Sequence, residues 1–181
     1  MNILKITFIL LCALWSIVVA YTKHHFGWDF LLLIFPLLLL VYSSFEDLKE
    51  KQINWMLVVL FIVFSLLYFF KVYGFNLALL GLGAFFCSII PLFLVVVSRE
   101  RWMGWGDVLL AFGVGALNGY PNSLVAILVA FWAGALFGII AIGVNKKAKT
   151  LAFGPYLLVG CLVALLFADQ VIAKYYNLIG F

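Results

Sequence analysis

The tightest constraint on this chain is that its apolar residues come in long, nearly unbroken runs separated by short polar loops. About twenty apolar residues are needed to cross the hydrocarbon layer of a bilayer. In that layer every backbone N–H and C=O must be paired within the segment, so each run reads as a helix. The predicted spans are 3–21, 30–46, 53–71, 76–98, 105–117 and 123–144. A seventh opens at Leu151-Ala152-Phe153-Gly154-Pro155-Tyr156-Leu157 and ends near Asp169. The expected fold is all-α, a polytopic membrane bundle of about seven helices. Composition agrees: 68% of the residues are hydrophobic and 10% charged, against about half apolar in a soluble domain.

The organisation follows from the runs. Residues 1–28 are read as a first span with its outer loop, 29–170 as the transmembrane core, and 171–181 as an amphipathic tail. Lys5 followed by an apolar stretch and Val18-Val19-Ala20 also fits a cleaved signal peptide, although the stretch is long enough to span. Pro36 lies inside the second span, where a kink is expected. Lys71-Val72-Tyr73-Gly74-Phe75 and Asn118-Gly119-Tyr120-Pro121-Asn122 read as turns. The fifth span is short and carries Gly113 and Gly115. With Gly134-x-x-x-Gly138 in the sixth, it points to close helix packing.

Basic residues set the expected orientation. With the N-terminus inside, the inner loops hold Lys5, Lys49, Lys51, Arg99, Arg101, Lys146, Lys147 and Lys149, and the outer loops hold Lys23, Lys71 and Lys174. That excess is the positive-inside pattern of a multi-pass protein in the inner, or plasma, membrane. The same topology accounts for the net charge of +4 without a nucleic-acid partner. Cys12, Cys87 and Cys161 lie inside apolar runs and read as buried thiols. His24 and His25 are adjacent but have no further ligand near them, and read as a wet interfacial loop. No metal or other cofactor is expected.

Two acids stand out. Asp107, in Met103-Gly104-Trp105-Gly106-Asp107-Val108-Leu109-Leu110, lies at the mouth of the fifth apolar run. Two glycines precede it, which lets the backbone bend and approach a partner closely. Asp47, in Ser43-Ser44-Phe45-Glu46-Asp47-Leu48-Lys49, ends the second run. The topology puts both on the cytoplasmic face. A carboxylate at a membrane edge is costly and suggests function. Each also has a plainer reading: Asp107 as an N-cap of the fifth helix, Asp47 as one charge of a solvated run. Paired carboxylates sharing a proton can hydrolyse a peptide bond, one activating water and the other polarising the carbonyl. The helix dipole suggests Asp107 as base and Asp47 as acid, the proton belonging to the pair. Gly106 is expected to resist replacement. No His-Glu-x-x-His motif and no phosphate-binding Gly-x-x-x-x-Gly-Lys occurs.

At these residues the chain resembles a known family. Gly104-x-Gly106-Asp107 is similar to the Gly-x-Gly-Asp signature of membrane aspartyl proteases, and within that group to the type IV prepilin peptidases and their archaeal preflagellin relatives. Asp47-Leu48-Lys49 with Ile53-Asn54-Trp55 resembles the family's first aspartate region, Met103 to Leu110 its second, and Phe153-Gly154-Pro155-Tyr156-Leu157 its C-terminal segment. The resemblance runs over about residues 35–168.

It implies Asp47 and Asp107 as catalytic residues and Gly104, Gly106, Phe153, Gly154 and Pro155 as motif or positioning residues. The implied substrates are prepilin-like precursors with a basic leader, a glycine at the cut and an apolar helix. The chain departs from the pattern in two places. No Pro separates Ile53 from Asn54, and Leu109 stands where the family commonly has Lys. It also lacks the tetracysteine insert of many bacterial members, so cleavage without methyl transfer is expected. Glu46, Glu50 and Glu100 are candidate contacts for a basic leader, or ordinary loop charges. A proton-coupled transporter and an inactive membrane scaffold are the competing readings. A presenilin-like or signal-peptide-peptidase-like protease fits less well with the short chain and with Phe153-Gly154-Pro155.

Overall fold

A computed structural model of the chain describes residues 3–23, 28–50, 54–144 and 152–180; the side chains of 3–10, Glu50 and 139–144 are not described. His24, His25, Lys51, Ile53, Lys146, Lys147 and Lys149, and the side chain of Lys5, therefore lie outside the described residues. The described chain is helical, with no strand. Its seven helices are α1 (Ile3–Lys23), α2 (Trp28–Glu50), α3 (Trp55–Tyr73), α4 (Leu77–Ser98), α5 (Trp105–Asn118), α6 (Asn122–Val144) and α7 (Gly154–Ile179). Within α2, α3, α4 and α7, 4 segments are long and apolar enough to cross a membrane. The polytopic bundle expected from the apolar runs is the fold observed.

The helices overrun the apolar windows that announced them. α2 begins at Trp28 and continues through Asp47 and Lys49 to Glu50. α3 takes in Lys71–Tyr73, so the turn expected there is confined to residues 74–76. Gly74 has φ 67, a conformation glycine adopts without penalty. α7 does not end near Asp169 but runs ten residues further, to Ile179. The physical reason is the same each time. Hydropathy marks where a helix meets lipid, whereas its end is set by capping and by residues that break it. Asp, Lys, Gln and Tyr in the last turns do neither. The boundaries placed at 28/29 and 170/171 consequently fall at the start of α2 and inside α7. Pro36 lies within α2 and Pro91 within α4, and both helices continue past them.

Capping fixes the starts. Asn54 caps α3, its side chain accepting from the Met56 N–H at 3.0 Å, and Asn76 caps α4, accepting from the Leu79 N–H at 3.2 Å. Between α5 and α6, Gly119 (φ 65) leads into a cis Tyr120–Pro121 bond.

α5 is the shortest helix and the central one. It packs on α3, α4, α6 and α7. Apart from Trp105, Gly106, Leu109 and Phe112 its residues are buried. Fourteen residues extend about 21 Å at 1.5 Å each, short of the roughly 30 Å hydrocarbon layer. α5 is therefore too short to cross that layer by itself. Small residues let it sit at the centre of the bundle. A Cβ on Gly115 would stand 2.7 Å from Cys87 Cβ and 2.8 Å from Ala84 Cα of α4, and one on Gly83 would stand 2.8 Å from the Gly115 carbonyl oxygen. Gly113 faces the Phe61 ring of α3 in the same way.

α2 and α5, which carry the two candidate acids, lie across from each other. Both pack on α3 and both on α7, so these four helices form a diamond with α2 and α5 on one diagonal. α1 lies outside against α2 and α7, and α4 and α6 close the other side.

Candidate active site

One end of the diamond gathers the C-terminus of α2 and the N-termini of α3, α5 and α7. Asp47 is in the last turn of α2 and 6% exposed; Asp107 is in the first turn of α5 and 7% exposed. The two carboxyls act on each other electrostatically. The chain thus brings together two acids sixty residues apart, with α3 and α4 between them in sequence.

Asp107 stands at the third position of α5. Its Oδ2 accepts from the Gly104 N–H at 3.3 Å, while its own N–H donates to the Gly104 carbonyl oxygen at 3.2 Å. The N-cap reading is thus corrected: Gly104 is the N-cap, and Asp107, at the third helical position, reaches back to its N–H with one oxygen. The other, Oδ1, is buried and has no hydrogen-bond partner among the described residues. A buried carboxylate oxygen without a donor costs on the order of 1–3 kcal/mol.

The glycines before Asp107 divide in their roles. A Cβ on Gly104 would meet nothing nearer than the Gly106 nitrogen at 4.0 Å. Its backbone is extended at φ -94 and ψ 164, which any residue adopts. Close approach is therefore not what Gly104 provides; its N–H is what holds Asp107. Gly106 is half-buried in the first turn of α5. The turn is braced from outside by Trp105, whose indole Nε1 donates to Glu100 Oε1 at 2.8 Å. Arg99 and Glu100, at φ 49 and 62, are both left-handed and carry the chain sharply from α4 into this turn.

Asp47 is held by the third motif. The Gly154 N–H, at the first position of α7, donates to Asp47 Oδ2 at 2.8 Å. Phe153 is the residue before the helix, and its carbonyl accepts from Tyr156 N at 3.0 Å and Leu157 N at 3.2 Å. The Phe153 ring packs on Phe131 of α6, centroids 4.9 Å apart. It also borders Gly134, where a Cβ would lie 3.4 Å from it. All three motifs thus meet at one end of the bundle. The bond from Gly154 to Asp47 was not visible in the sequence. Gly-Pro at a helix start was the only trace of it, and that trace names no partner.

The helix-dipole argument for unequal roles fails here. α2 ends three residues beyond Asp47, but the N-terminus of α7 abuts the same carboxyl. Both acids therefore sit against a helix N-terminus, and the dipoles do not separate base from acid. Glu46 turns to α3 instead, its Oε2 accepting from the Asn54 N–H at 3.3 Å. Among the described residues no group of three or more His, Cys, Asp or Glu side chains could hold a metal.

A model of the type IV leader peptidase family matches residues 33–139, which include both acids. The chain belongs to the type IV leader peptidase family. It is 30% identical over 178 residues to the prepilin leader peptidase/N-methyltransferase of Aeromonas salmonicida, covering 94% of this chain and 60% of that protein. It is 35% identical over 96 residues to the protein of the same name from Pseudomonas aeruginosa, covering 52% of this chain and 33% of that one. In Legionella pneumophila a like-named protein is 33% identical over 75 residues, 40% of this chain and 26% of that one. The chain spans at most about three fifths of the length of these relatives. No solved structure matches it.

Proposed function

We propose that this protein is an aspartic endopeptidase that removes the leader peptide of prepilin-like precursors at the cytoplasmic face of the inner membrane, with Asp47 and Asp107 as its catalytic residues. The observation that carries this reading is the meeting of two buried carboxyls at one end of the bundle, one keeping an oxygen without a donor. Family membership supplies the substrate class. The orientation, N-terminus inside, rests on the basic residues of the loops.

Two buried carboxyls that act on each other favour one shared proton, because both cannot be charged cheaply in a buried site. The ionised member takes a proton from water as the water oxygen attacks the scissile carbonyl carbon. The protonated member donates to the carbonyl oxygen. Collapse of the tetrahedral intermediate breaks the C–N bond, and the departing amine takes up a proton. This chemistry needs no covalent enzyme intermediate and no metal.

A transporter or an inactive scaffold would not cut. The test is detergent-purified protein incubated with a prepilin peptide containing the leader, the glycine and the first turns of the apolar helix. Mass spectrometry should show a single cut after that glycine. With S-adenosylmethionine present, the new N-terminus should remain unmethylated. An intact peptide, under conditions where a bifunctional relative cleaves it, would overturn the reading.

A further inference from the structure

The first turn of α7 has one outward donor, and it is spent on Asp47. Pro155 has no N–H, and Tyr156 and Leu157 donate back to the Phe153 carbonyl. That leaves the Gly154 N–H, which reaches Asp47 Oδ2 at 2.8 Å in a buried setting. The absence of a side chain at Gly154 is equally specific. A Cβ there would lie 3.1 Å from Asp47 Oδ2, 3.3 Å from Ser44 Cα and 3.4 Å from Asp47 Cβ. Its φ is not in the left-handed region, so the need is for space and not for conformation. Ser44 cannot yield by rotating, because the contact is with its Cα. The turn itself is clamped by the Phe153 ring between Phe131 and Gly134 of α6.

We propose that Gly154 is a positioning residue for peptide-bond cleavage: its N–H holds Oδ2 of Asp47, and its missing side chain lets α7 come close enough to do so. The proposal rests on the endopeptidase reading given above. It makes the N-terminus of α7, anchored on α6, one of the parts that set where the Asp47 carboxyl stands relative to Asp107. A charge-assisted bond from a backbone N–H also biases which member of the pair keeps the proton.

The test replaces the Gly154 amide with an ester by incorporating glycolic acid at 154, which removes the N–H and keeps the shape. Gly154→Ala is the companion variant, which keeps the N–H and adds the methyl. Wild-type protein is assayed first on the prepilin peptide; failure there rejects the endopeptidase reading and with it this one. With wild type active, both variants should keep the wild-type elution profile in detergent. Each should lower kcat about ten- to a hundredfold, the scale of one hydrogen bond to a charged group, with KM little changed. The ester should also displace the pH profile of kcat by about one unit. A structural role alone would lower thermal stability and leave the pH profile of the folded protein in place. An ester variant with wild-type kcat and profile, or one that loses activity only in proportion to its folded fraction with an unmoved profile, overturns the proposal and spares the endopeptidase reading. If the ester does not fold, Gly154→Ala decides alone: a folded variant with unchanged kcat and pH profile overturns it.

Discussion

The two ends of the bundle each tie helices together through an aspartate, and they do it differently. At the end opposite the candidate site, Asp169 of α7 has one oxygen 3.3 Å from Lys23 Nζ of α1 and the other 3.0 Å from Asn122 Nδ2 of α6. Its side chain is 67% exposed. Both oxygens are engaged and water reaches them, so the group is a clasp. At the other end Asp107 is buried, has only a backbone donor to one oxygen, and leaves the second without a partner among the described residues. Asp169 thus has both oxygens engaged, whereas Asp107 leaves one buried without a partner; Asp29, in the first turn of α2, also leaves one oxygen without a partner among the described residues. An unpartnered oxygen alone therefore does not single out an acid for chemistry; what separates Asp107 from Asp169 and Asp29 is burial beside a second buried carboxyl, that of Asp47.

The largest effect should fall on the end that holds the two buried carboxyls. Asp107→Asn and Asp47→Asn keep size and remove the titratable group. Each should lower cleavage of the prepilin peptide by about a thousandfold or more, within the range lost with a general acid or base, while membrane insertion and detergent elution stay as in wild type. In Asp47→Asn the side-chain amide oxygen can still accept from the Gly154 N–H, so a loss there reads on proton transfer and not on the seat of α7. Substantial cleavage by either variant would break the comparison, because the buried end would then be no more catalytic than the clasp.

Asp169→Asn is the matched control. It removes the ion pair with Lys23 and keeps an oxygen to accept from Asn122. Exposed pairs contribute about 1 kcal/mol or less, so thermal stability should fall slightly and kcat should stay within about twofold of wild type. A large loss of activity, with the melting temperature unchanged, would mean that the two ends are coupled through α7.

The sequence made one side of this comparison far more legible than the other. The helices, their order and the two acids followed from apolar runs and from the places where charge interrupts them. Gly113 and Gly115 announced close packing, but only the fold shows that Phe61 and the Gly83 region of α4 fill the space. Contacts between residues a hundred positions apart leave no local mark. Asp47 and Gly154 each read as a helix end, and their meeting depends on how α7 sits against α2. The ends of α3 and α7 were misplaced because hydropathy tracks the apolar window, while helices such as α7 continue through the exposed residues Asp169, Lys174 and Tyr175. The expected inequality of the two dipoles failed for a related reason: it was argued from each helix alone, and the α7 terminus that cancels it belongs to a third.

The smallest effect should come from Glu46, the neighbour of Asp47, and it sharpens the assignment by one residue. On a helix, successive side chains point about 100° apart. Asp47 turns to α7 and Glu46 to α3, where Oε2 accepts from the Asn54 N–H at 3.3 Å in an exposed setting. Glutamine at 46 retains a side-chain oxygen for that bond and loses only the charge. Solvent screens the lost charge, so Glu46→Gln should cleave within about twofold of wild type with an unchanged pH profile. If a basic leader uses Glu46, KM alone should rise, and added salt should narrow the gap between variant and wild type. Abolished kcat in Glu46→Gln, with cleavage retained in Asp47→Asn, would transfer the catalytic role to Glu46 and detach the α7 terminus from the chemistry.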